Sequence, residues 1–363
     1  MKVLHICETI KGGVATYLNT FSQVCADRTE NTFLVPEDHV DQLTTSEKIV
    51  CFQHKGRGLK TIWALARVAY SEAVRIRPDV LFFHSTFSLG ALALLRARKV
   101  PGSYIYCPHA WAQSRYTESP TKARVVSAIE GRLAGLPDMV LNISHNDREM
   151  ALYHGYRGSH VVVENALPDL PTNPLSLPSP IAVSSGRINL LFVGRFDRQK
   201  GLDILLEAFA LAQKTNPEIH LHVVGANVQD SADVTAATLT GITFHSWVPA
   251  DRIADFYRFA DMVVMPSRWE GLPMVLIEAL RAGTPILLSN ASGMAKLIED
   301  GHSGLVVRPE PAALARTIES LTRESVSAMR PAARQLYESR YSGERFRKET
   351  LEALSHAISV SSR

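Results

Sequence analysis

The sequence predicts an α/β protein of two doubly wound domains facing across a cleft. Three observations carry this reading. Short β-rich runs alternate with helix-like segments, the spacing of a parallel sheet with crossover helices. The alternation stops once, in a proline-rich stretch, and then restarts. The length, 363 residues, suits two domains at about 150 residues each and is enough chain to bury a core in both.

Lys2–Cys7 reads as the first strand, followed by Gly12-Gly13 and a helix-like run over Val14–Cys25. Val80–His84 is a strand with a helix over Leu89–Arg98, and Tyr104–Cys107 and Met139–Ile143 are further strands. The last runs into a helix over Ser144–His154, where Ser144 suits the N-cap and Asp147, three residues on, can partner it in a capping box. Residues 166–186 contain five prolines, a composition that no helix or central strand tolerates, so they read as a linker between domains over 1–165 and 187–335. The second alternation runs through strands at Asn189–Val193, His220–Val224, Ile242–Phe244, Met262–Met265, Pro285–Ser289 and Gly304–Val307. Helices fall between them at Leu202 to about Lys214, Asp251–Phe259 and Met274–Ala282, and a long helical tail starts at Pro311.

Composition narrows the class. Apolar residues at 46% and charged residues at 21% exclude global disorder. With 39 Lys and Arg against 36 Asp and Glu, the net charge of +3 is too weak for a dedicated nucleic-acid binder. The four cysteines, Cys7, Cys25, Cys51 and Cys107, form no C-x-x-C pair and read as reduced core or near-core thiols of a cytoplasmic protein. MKVLHIC reads as a strand rather than a secretory signal. The apolar stretch near Leu89–Leu95 falls far short of the roughly 18 residues of a membrane span. Residues 1–165 hold 19 basic against 15 acidic residues, net +4, with Lys55, Arg57, Lys60, Arg67, Arg75 and Arg77 clustered. The cluster is either a set of solvated helix faces or a surface for anionic lipid. Trp63, Leu65 and Val68 interleave with it, which fits an interfacial helix or simple core burial.

Ligands of open α/β sheets sit beyond the carboxyl ends of the strands, and four loops there are unusual. Lys11-Gly12-Gly13-Val14 permits close backbone approach to a ligand, or is a plain tight turn. G-x-G-x-x-G occurs nowhere, which argues against a dinucleotide oxidoreductase. In Gly194-Arg195-Phe196-Asp197-Arg198-Gln199-Lys200-Gly201, two cations five residues apart suit a diphosphate, the alternative being a solvated basic loop. In Pro266 to Ala279, Glu270 sits in the loop and Glu278 in the apolar run MVLIEAL, leaning back toward the loop. The N–H groups near Met274 and Val275 complete an anion hole flanked by two carboxylates, which could hold a phosphorylated sugar. His109 in Pro108-His109-Ala110-Trp111 should face the cleft, whereas His5 and His84 end strands and read as structural.

These residues together resemble the family 4 retaining glycosyltransferases: GGV after the first strand, GR-x4-KG opening the second domain, and EGLPMVLIEAL with E-x7-E spacing. The resemblance spans nearly the whole chain. It implies the GT-B fold of two Rossmann-like domains, with a C-terminal helix over 336–363 crossing back to the first. It implies that Arg195 and Lys200 hold the donor diphosphate, that Glu278 binds the ribose and that Glu270 binds a hydroxyl of the donor sugar. Backbone at Leu272, Met274 and Val275 would meet sugar and phosphate, with His109 near the donor sugar, Gly13 at the phosphates and Val248 near the base. Two departures stand out: Asn165-Ala166 where the family often has Asn-Gly, and Gly225-Ala226-Asn227 without the fuller glycine-rich form.

The expected activity is transfer of a hexose from a nucleotide diphosphate sugar, UDP-linked by analogy, to a saccharide or lipid-linked acceptor in surface polysaccharide synthesis such as exopolysaccharide or O-antigen. No Asp-x-Asp triplet is present, so no metal and no cofactor is expected, the two cations and a helix dipole taking the metal's place. The expected location is cytoplasmic, peripheral on the inner face of the cell membrane. Two alternatives remain: an epimerase or hydrolase acting on nucleotide sugars with the same fold, and a non-catalytic nucleotide-sugar-binding module. Release of free sugar without an acceptor would mark a hydrolase, and binding without turnover would mark the module.

Overall fold

The computed structural model describes residues 1–53, 56, 58–115, 119–170, 179–181, 186–226, 240–245, 248 and 250–361. The chain divides into two units, unit 1 from Met1–Pro168 with Gly343–Arg363 and unit 2 from Asp169–Ser342.

Unit 1 runs β1 (Lys2–Cys7), α1 (Gly13–Cys25), β2 (Glu30–Pro36), β3 (Lys48–Phe52), α2 (Leu59–Ile76), β4 (Val80–His84), α3 (Ser88–Ala97) and β5 (Ser103–Cys107). It continues through α4 (Pro120–Leu133), β6 (Met139–Asn142), α5 (His145–Tyr153) and β7 (His160–Val162). The sheet order is β3-β2-β1-β4-β5-β6-β7, parallel throughout. Successive side chains of a strand point to opposite faces, and here both faces are apolar. Val3 and Cys7 join Phe33 and Phe82 in one core, and Leu4 and Ile6 join Phe83 and Tyr104 in the other. That double burial is why these strands read as continuous hydrophobic runs.

Unit 2 runs β8 (Ile188–Val193), α6 (Leu202–Ala212), β9 (Ile219–Val224), β10 (Ile242–His245), α7 (Ala250–Phe259), β11 (Met262–Met265), α8 (Met274–Arg281), β12 (Ile286–Ser289), β13 (Gly304–Val307), α9 (Pro311–Glu319) and α10 (Arg323–Leu336). Its sheet order is β10-β9-β8-β11-β12-β13. The chain thus steps outward from β8 to β10 and resumes on the other side at β11. The loops after β8 and β11 lie side by side at that reversal, at the carboxyl ends of the strands, where open α/β sheets take their ligands. Unit 1 reverses in the same way between β1 and β4.

The expected tail from Pro311 is three helices, because the chain breaks at Leu321–Thr322 and again at Ser342. Thr322 caps α10 through a reciprocal pair with Ser325. Tyr337–Tyr341 forms a π turn whose two tyrosines are buried, so the final helix begins at Gly343 rather than 336. That helix, α11 (Gly343–Ser361), packs on α1 and β5 of unit 1. Phe346 is fully buried and meets Tyr17 edge to face at 5.4 Å, and Arg345 donates to the Glu164 carbonyl at 2.7 Å.

Other expectations shift. Unit 1 extends to Pro168, and Ala166 and Leu167 are buried, so the first residues of the expected linker are packed chain. Much of the remainder, 171–178 and 182–185, lies outside the described residues. Cys51 is exposed on β3 while Cys7, Cys25 and Cys107 are buried, and all four are free. Trp63 is 61% exposed, not core, whereas Leu65 of the same helix is buried. A helix has two sides, and α2 buries Leu65, Ala66, Ala69 and Ala73 while turning Leu59, Trp63, Tyr70 and Val74 outward.

The capping box at α5 is half formed. Ser144 Oγ accepts the Asp147 N–H at 3.0 Å, but the Asp147 carboxylate is buried and makes no hydrogen bond. Burial pushes that carboxyl up to about 7. The folded chain therefore holds this proton well above the ordinary carboxylate pKa of 3.8, and stability falls as pH rises from about 4 to about 7. Asp147→Asn is expected to stabilise unit 1 by a few kcal/mol at pH 8, with the gain shrinking toward zero below about pH 4. Urea unfolding of both proteins at the two pH values, followed by fluorescence of the buried Trp111, checks this.

Candidate functional site

In unit 2 the loops after β8 and β11 meet at the sheet reversal and are tied together several times. The Arg268 N–H donates to the Gln199 carbonyl at 2.8 Å, and the Arg268 guanidinium pairs with Asp203 at 2.5 Å. Gly201 holds φ +70°, and a Cβ there would lie 2.3 Å from the Pro266 carbonyl oxygen, so only glycine lets α6 start against this loop. Gly225, after β9, approaches even closer: its Cβ would fall 1.9 Å from the Gly194 oxygen. One glycine thus suffices for the close approach that the fuller glycine-rich form would otherwise serve. Asn227 lies outside the described residues.

These ties bring Lys200 and Glu270 into contact. Lys200 Nζ stands 2.6 Å from Glu270 Oε1, with the side chains only 16% and 8% exposed. Ser267 Oγ donates to the same oxygen at 3.1 Å, and Gln199 Nε2 donates to Oε2 at 3.3 Å. A carboxylate has about four lone-pair sites; three are taken, which leaves one for a ligand hydroxyl. The Lys200 ammonium has three donors; one goes to Glu270, and two can meet an anion. Arg195 is half exposed and pairs with Asp197 at 2.9 Å and with Gln199 Oε1 at 3.2 Å.

Pro273 stands at the N-cap of α8 and supplies no side-chain hydrogen bond. The first-turn N–H groups, at Met274 and Val275, therefore point their partial positive charge outward from the helix end. Leu272 is buried just before them. Glu278, one turn in, is half-buried, and its Oε2 accepts the Tyr257 hydroxyl at 2.5 Å. Val248, half-buried after β10, stands among residues outside the description.

In unit 1, Gly12 has φ +70° with open space beside it, and Gly13 opens α1. His109 and Ala110 hold φ of 53° and 88°, and Ser85, after β4, holds 71°. Such conformations cost non-glycine residues of order 1–3 kcal/mol and persist only where the surroundings enforce them. The buried Glu130 of α4 does so. It accepts the Thr86 hydroxyl at 2.8 Å and the Ala112 N–H at 3.0 Å. Trp111, fully buried, donates Nε1 to the Asp147 carbonyl at 2.9 Å. The strained turn delivers His109 to Tyr17 of α1, edge to face at 4.8 Å.

His5 and His84, expected to be structural, are buried and joined to His109. His109 Nε2 lies 2.9 Å from His84 Nδ1, and His84 Nε2 lies 3.1 Å from His5 Nδ1. Desolvation lowers His5 and His109 to about 3 and His84 well below its usual value, so all three imidazoles are neutral near pH 7. Gln199, Ser267, Tyr257 and Glu130 escaped sequence reading. Only the adjacency of β1, β4 and β5 could have flagged the histidines.

Comparison with known proteins bears on the family and the fold. Residues 12–166 match the family model described as a glycosyl transferase 4-like domain, and residues 179–338 match glycosyl transferases group 1. A Klebsiella pneumoniae protein named an uncharacterized 41.2 kDa protein in the cps region is 28% identical over 86% of this chain and 87% of its own length. A D-inositol 3-phosphate glycosyltransferase of Arthrobacter sp. is 37% identical over 37% of this chain and 34% of its own. Among solved structures, sucrose-phosphate synthase from Thermosynechococcus elongatus aligns with a TM-score of 0.81 at 18% identity, covering 99% of each chain. Anabaena HepE in complex with UDP and glucose aligns with a TM-score of 0.78 at 18% identity, covering 98% of this chain and all of that one. Both parallel sheets, the loops at their reversals and the two family matches lead to one assignment: the chain belongs to the group 1 glycosyltransferases and has their two-domain GT-B fold.

Proposed function

We propose that this glycosyltransferase moves a hexose from a UDP-sugar to a saccharide or lipid-linked acceptor, with retention, in surface polysaccharide synthesis at the cytoplasmic face of the membrane. The observation that carries the proposal is the Lys200–Glu270 pair at the reversal of the unit 2 sheet. It holds a cation with two open donors beside a carboxylate with one open acceptor site, and α8 directs its first-turn N–H groups outward nearby. Arg195 and Lys200 bind the diphosphate. Glu278, kept in place by Tyr257, accepts from the ribose hydroxyls, and Glu270 accepts from a sugar hydroxyl. Leu272, Met274 and Val275 bring backbone to sugar and phosphate, and Val248 borders the base. The bond from the anomeric carbon to the phosphate oxygen breaks, and a bond from that carbon to the acceptor oxygen forms. The acceptor's proton passes to the leaving phosphate. The charge gained there is met by the two cations and the helix dipole, so no metal ion is required. UDP bound in HepE and the cps-region relative support the donor and the pathway class.

Lys200→Ala is expected to lower turnover at saturating donor by at least about tenfold, the worth of a lost charged hydrogen bond to the leaving group. Wild-type activity is expected to persist in excess EDTA. Release of UDP from UDP-sugar with a saccharide acceptor measures both. Turnover of Lys200→Ala at the wild-type rate would sink the diphosphate assignment, and a loss in EDTA that Mg²⁺ or Mn²⁺ restores would sink the metal-free route.

Membrane contact is proposed through α2. Among the described residues no helix is long and apolar enough to cross a membrane. Yet Leu59, Trp63, Tyr70 and Val74 form an exposed stripe, with the exposed Lys60 and Arg67 on the same side and the Arg67 guanidinium 5.7 Å from the Trp63 ring. An apolar stripe edged with cations suits the interface of an anionic bilayer. Lys55 and Arg57, counted in the same cluster from the sequence, lie outside the described residues. The protein is expected to co-sediment with phosphatidylglycerol vesicles at low salt and to be released at about 0.5 M salt, where charges are screened within a few ångströms. The Trp63→Ala, Arg67→Ala double variant should bind several-fold less; equal sedimentation of the two proteins would remove α2 from the contact.

A further inference from the structure

The last residues of β4 and β5, His84 and Cys107, are register partners across the sheet. Strands pair about 5 Å apart, so the two side chains stand next to each other on the face that Tyr17 of α1 covers, its ring 5.8 Å from that of His84. His109 comes two residues after Cys107, and the positive φ of His109 and Ala110, 53° and 88°, turns its imidazole back onto the pair. One nitrogen of each histidine and the Cys107 Sγ then lie within 4.8 Å of one another, with His84 Nδ1 2.9 Å from His109 Nε2. A hydrogen bond between the two imidazoles accounts for that one contact. It leaves two buried hydroxyls beside the cluster without a hydrogen bond, those of Tyr17 and of Ser85, the residue after His84.

We propose that His84 Nδ1, His109 Nε2 and Cys107 Sγ form a binding site for one Zn²⁺ ion, wholly within unit 1. Two imidazoles and a thiolate suit zinc and similar borderline-soft ions, whereas Mg²⁺ and Ca²⁺ take oxygen ligands. Tetrahedral bonds of about 2.0–2.1 Å to nitrogen and 2.3 Å to sulfur place the two nitrogens about 3.3 Å apart and the sulfur about 3.6 Å from each. The nitrogens need to open by about 0.4 Å and the sulfur to close by at most about 1.2 Å, which small side-chain rotations supply. Binding through Nδ1 puts the His84 N–H on Nε2, which faces His5 Nδ1 at 3.1 Å. A metal-bound histidine donates its other ring N–H to a fixed acceptor in this way. The fourth position is left to a water, and the unpaired Tyr17 and Ser85 hydroxyls can hold it. Burial keeps the Cys107 thiol protonated in the metal-free protein, so binding breaks the S–H bond, forms the S–Zn bond and releases the proton to solvent. The two imidazoles are already neutral and release none. The ion ties β4 and β5 to the strained turn and takes no part in the leaving-group chemistry of unit 2, so the site does not depend on the transfer reading.

The test is titration of the full-length protein, stripped of metal, with Co²⁺, which occupies zinc sites and shows its ligands in its spectrum. One equivalent should give the intense visible bands of a tetrahedral ion together with a near-ultraviolet sulfur-to-cobalt band, and one equivalent of Zn²⁺ should abolish both. Each ion bound should release about one proton, so that affinity rises about tenfold per pH unit. Cys51→Ala, which removes the exposed thiol of β3, should leave the spectrum unchanged. Cys107→Ser should lose the sulfur band, and His109→Gln should bind at least about tenfold more weakly. Because His109 is half-buried on a loop, His109→Gln carries the test even where Cys107→Ser fails to fold. The proposal is overturned if the wild type gives no tetrahedral spectrum, if Cys51→Ala removes the sulfur band, if Cys107→Ser keeps it, or if His109→Gln binds as tightly as the wild type.

Discussion

The contact between Lys200 and Glu270 is the constraint around which unit 2 is arranged. Neither side chain is well solvated, and removing one partner of such a pair costs about 3–5 kcal/mol because the other is left buried and uncompensated. The two residues come from loops on opposite sides of a sheet reversal, where strands part and chain ends tend to splay. Holding them together requires the glycine at 201, the Arg268 bonds and the Gln199 amide, which also donates to the Trp269 carbonyl at 3.1 Å. Each of these ties serves the pair, and the pair in turn fixes which donors and acceptors the crevice offers.

Unit 1 answers a similar problem with strain instead of charge. Its loops after β4 and β5 carry three non-glycine residues at positive φ. A single buried carboxylate, Glu130, reaches both loops and offsets that cost by satisfying a hydroxyl and a backbone N–H. Rigid presentation of His109 follows from the fold beneath it, since every residue of β4 and β5 is buried. The two units thus reach preorganised polar sites by different physical routes on the same sheet topology.

The alternation of strands and helices was legible because strands buried on both faces form dense apolar runs, and Lys2–Cys7, Val80–His84, Met262–Met265 and Gly304–Val307 have the bounds their composition implies. β2 and β3 are less legible, because ENTFLVP opens on three polar residues and only a short turn, not a crossover helix, separates it from KIVCF. The break at Ser342 is marked in the sequence only by the Ser342-Gly343 pair. At the site, Lys200, Glu270 and Glu278 could be picked out because charged residues within apolar or glycine-bearing loops are uncommon. Gln199, Tyr257 and Glu130 could not, because what they do depends on neighbours far along the chain. Trp63 shows the limit of helical periodicity: α2 has an apolar residue on nearly every face, and only the sheet decides which face is covered.

The return of α11 to unit 1 has a consequence for how the protein is made. Unit 2 is in effect inserted into the sequence of unit 1, and the side of α1 and β5 that Phe346, Leu354 and Ala357 cover has no partner until α11 has been made. On a ribosome adding about 5–20 residues per second, that apolar side waits roughly 10–40 s while all of unit 2 is synthesised. The nascent first unit is therefore exposed to chaperones and to aggregation for that interval. A chain cut before Gly343 would leave the core of unit 1 uncovered rather than damage unit 2.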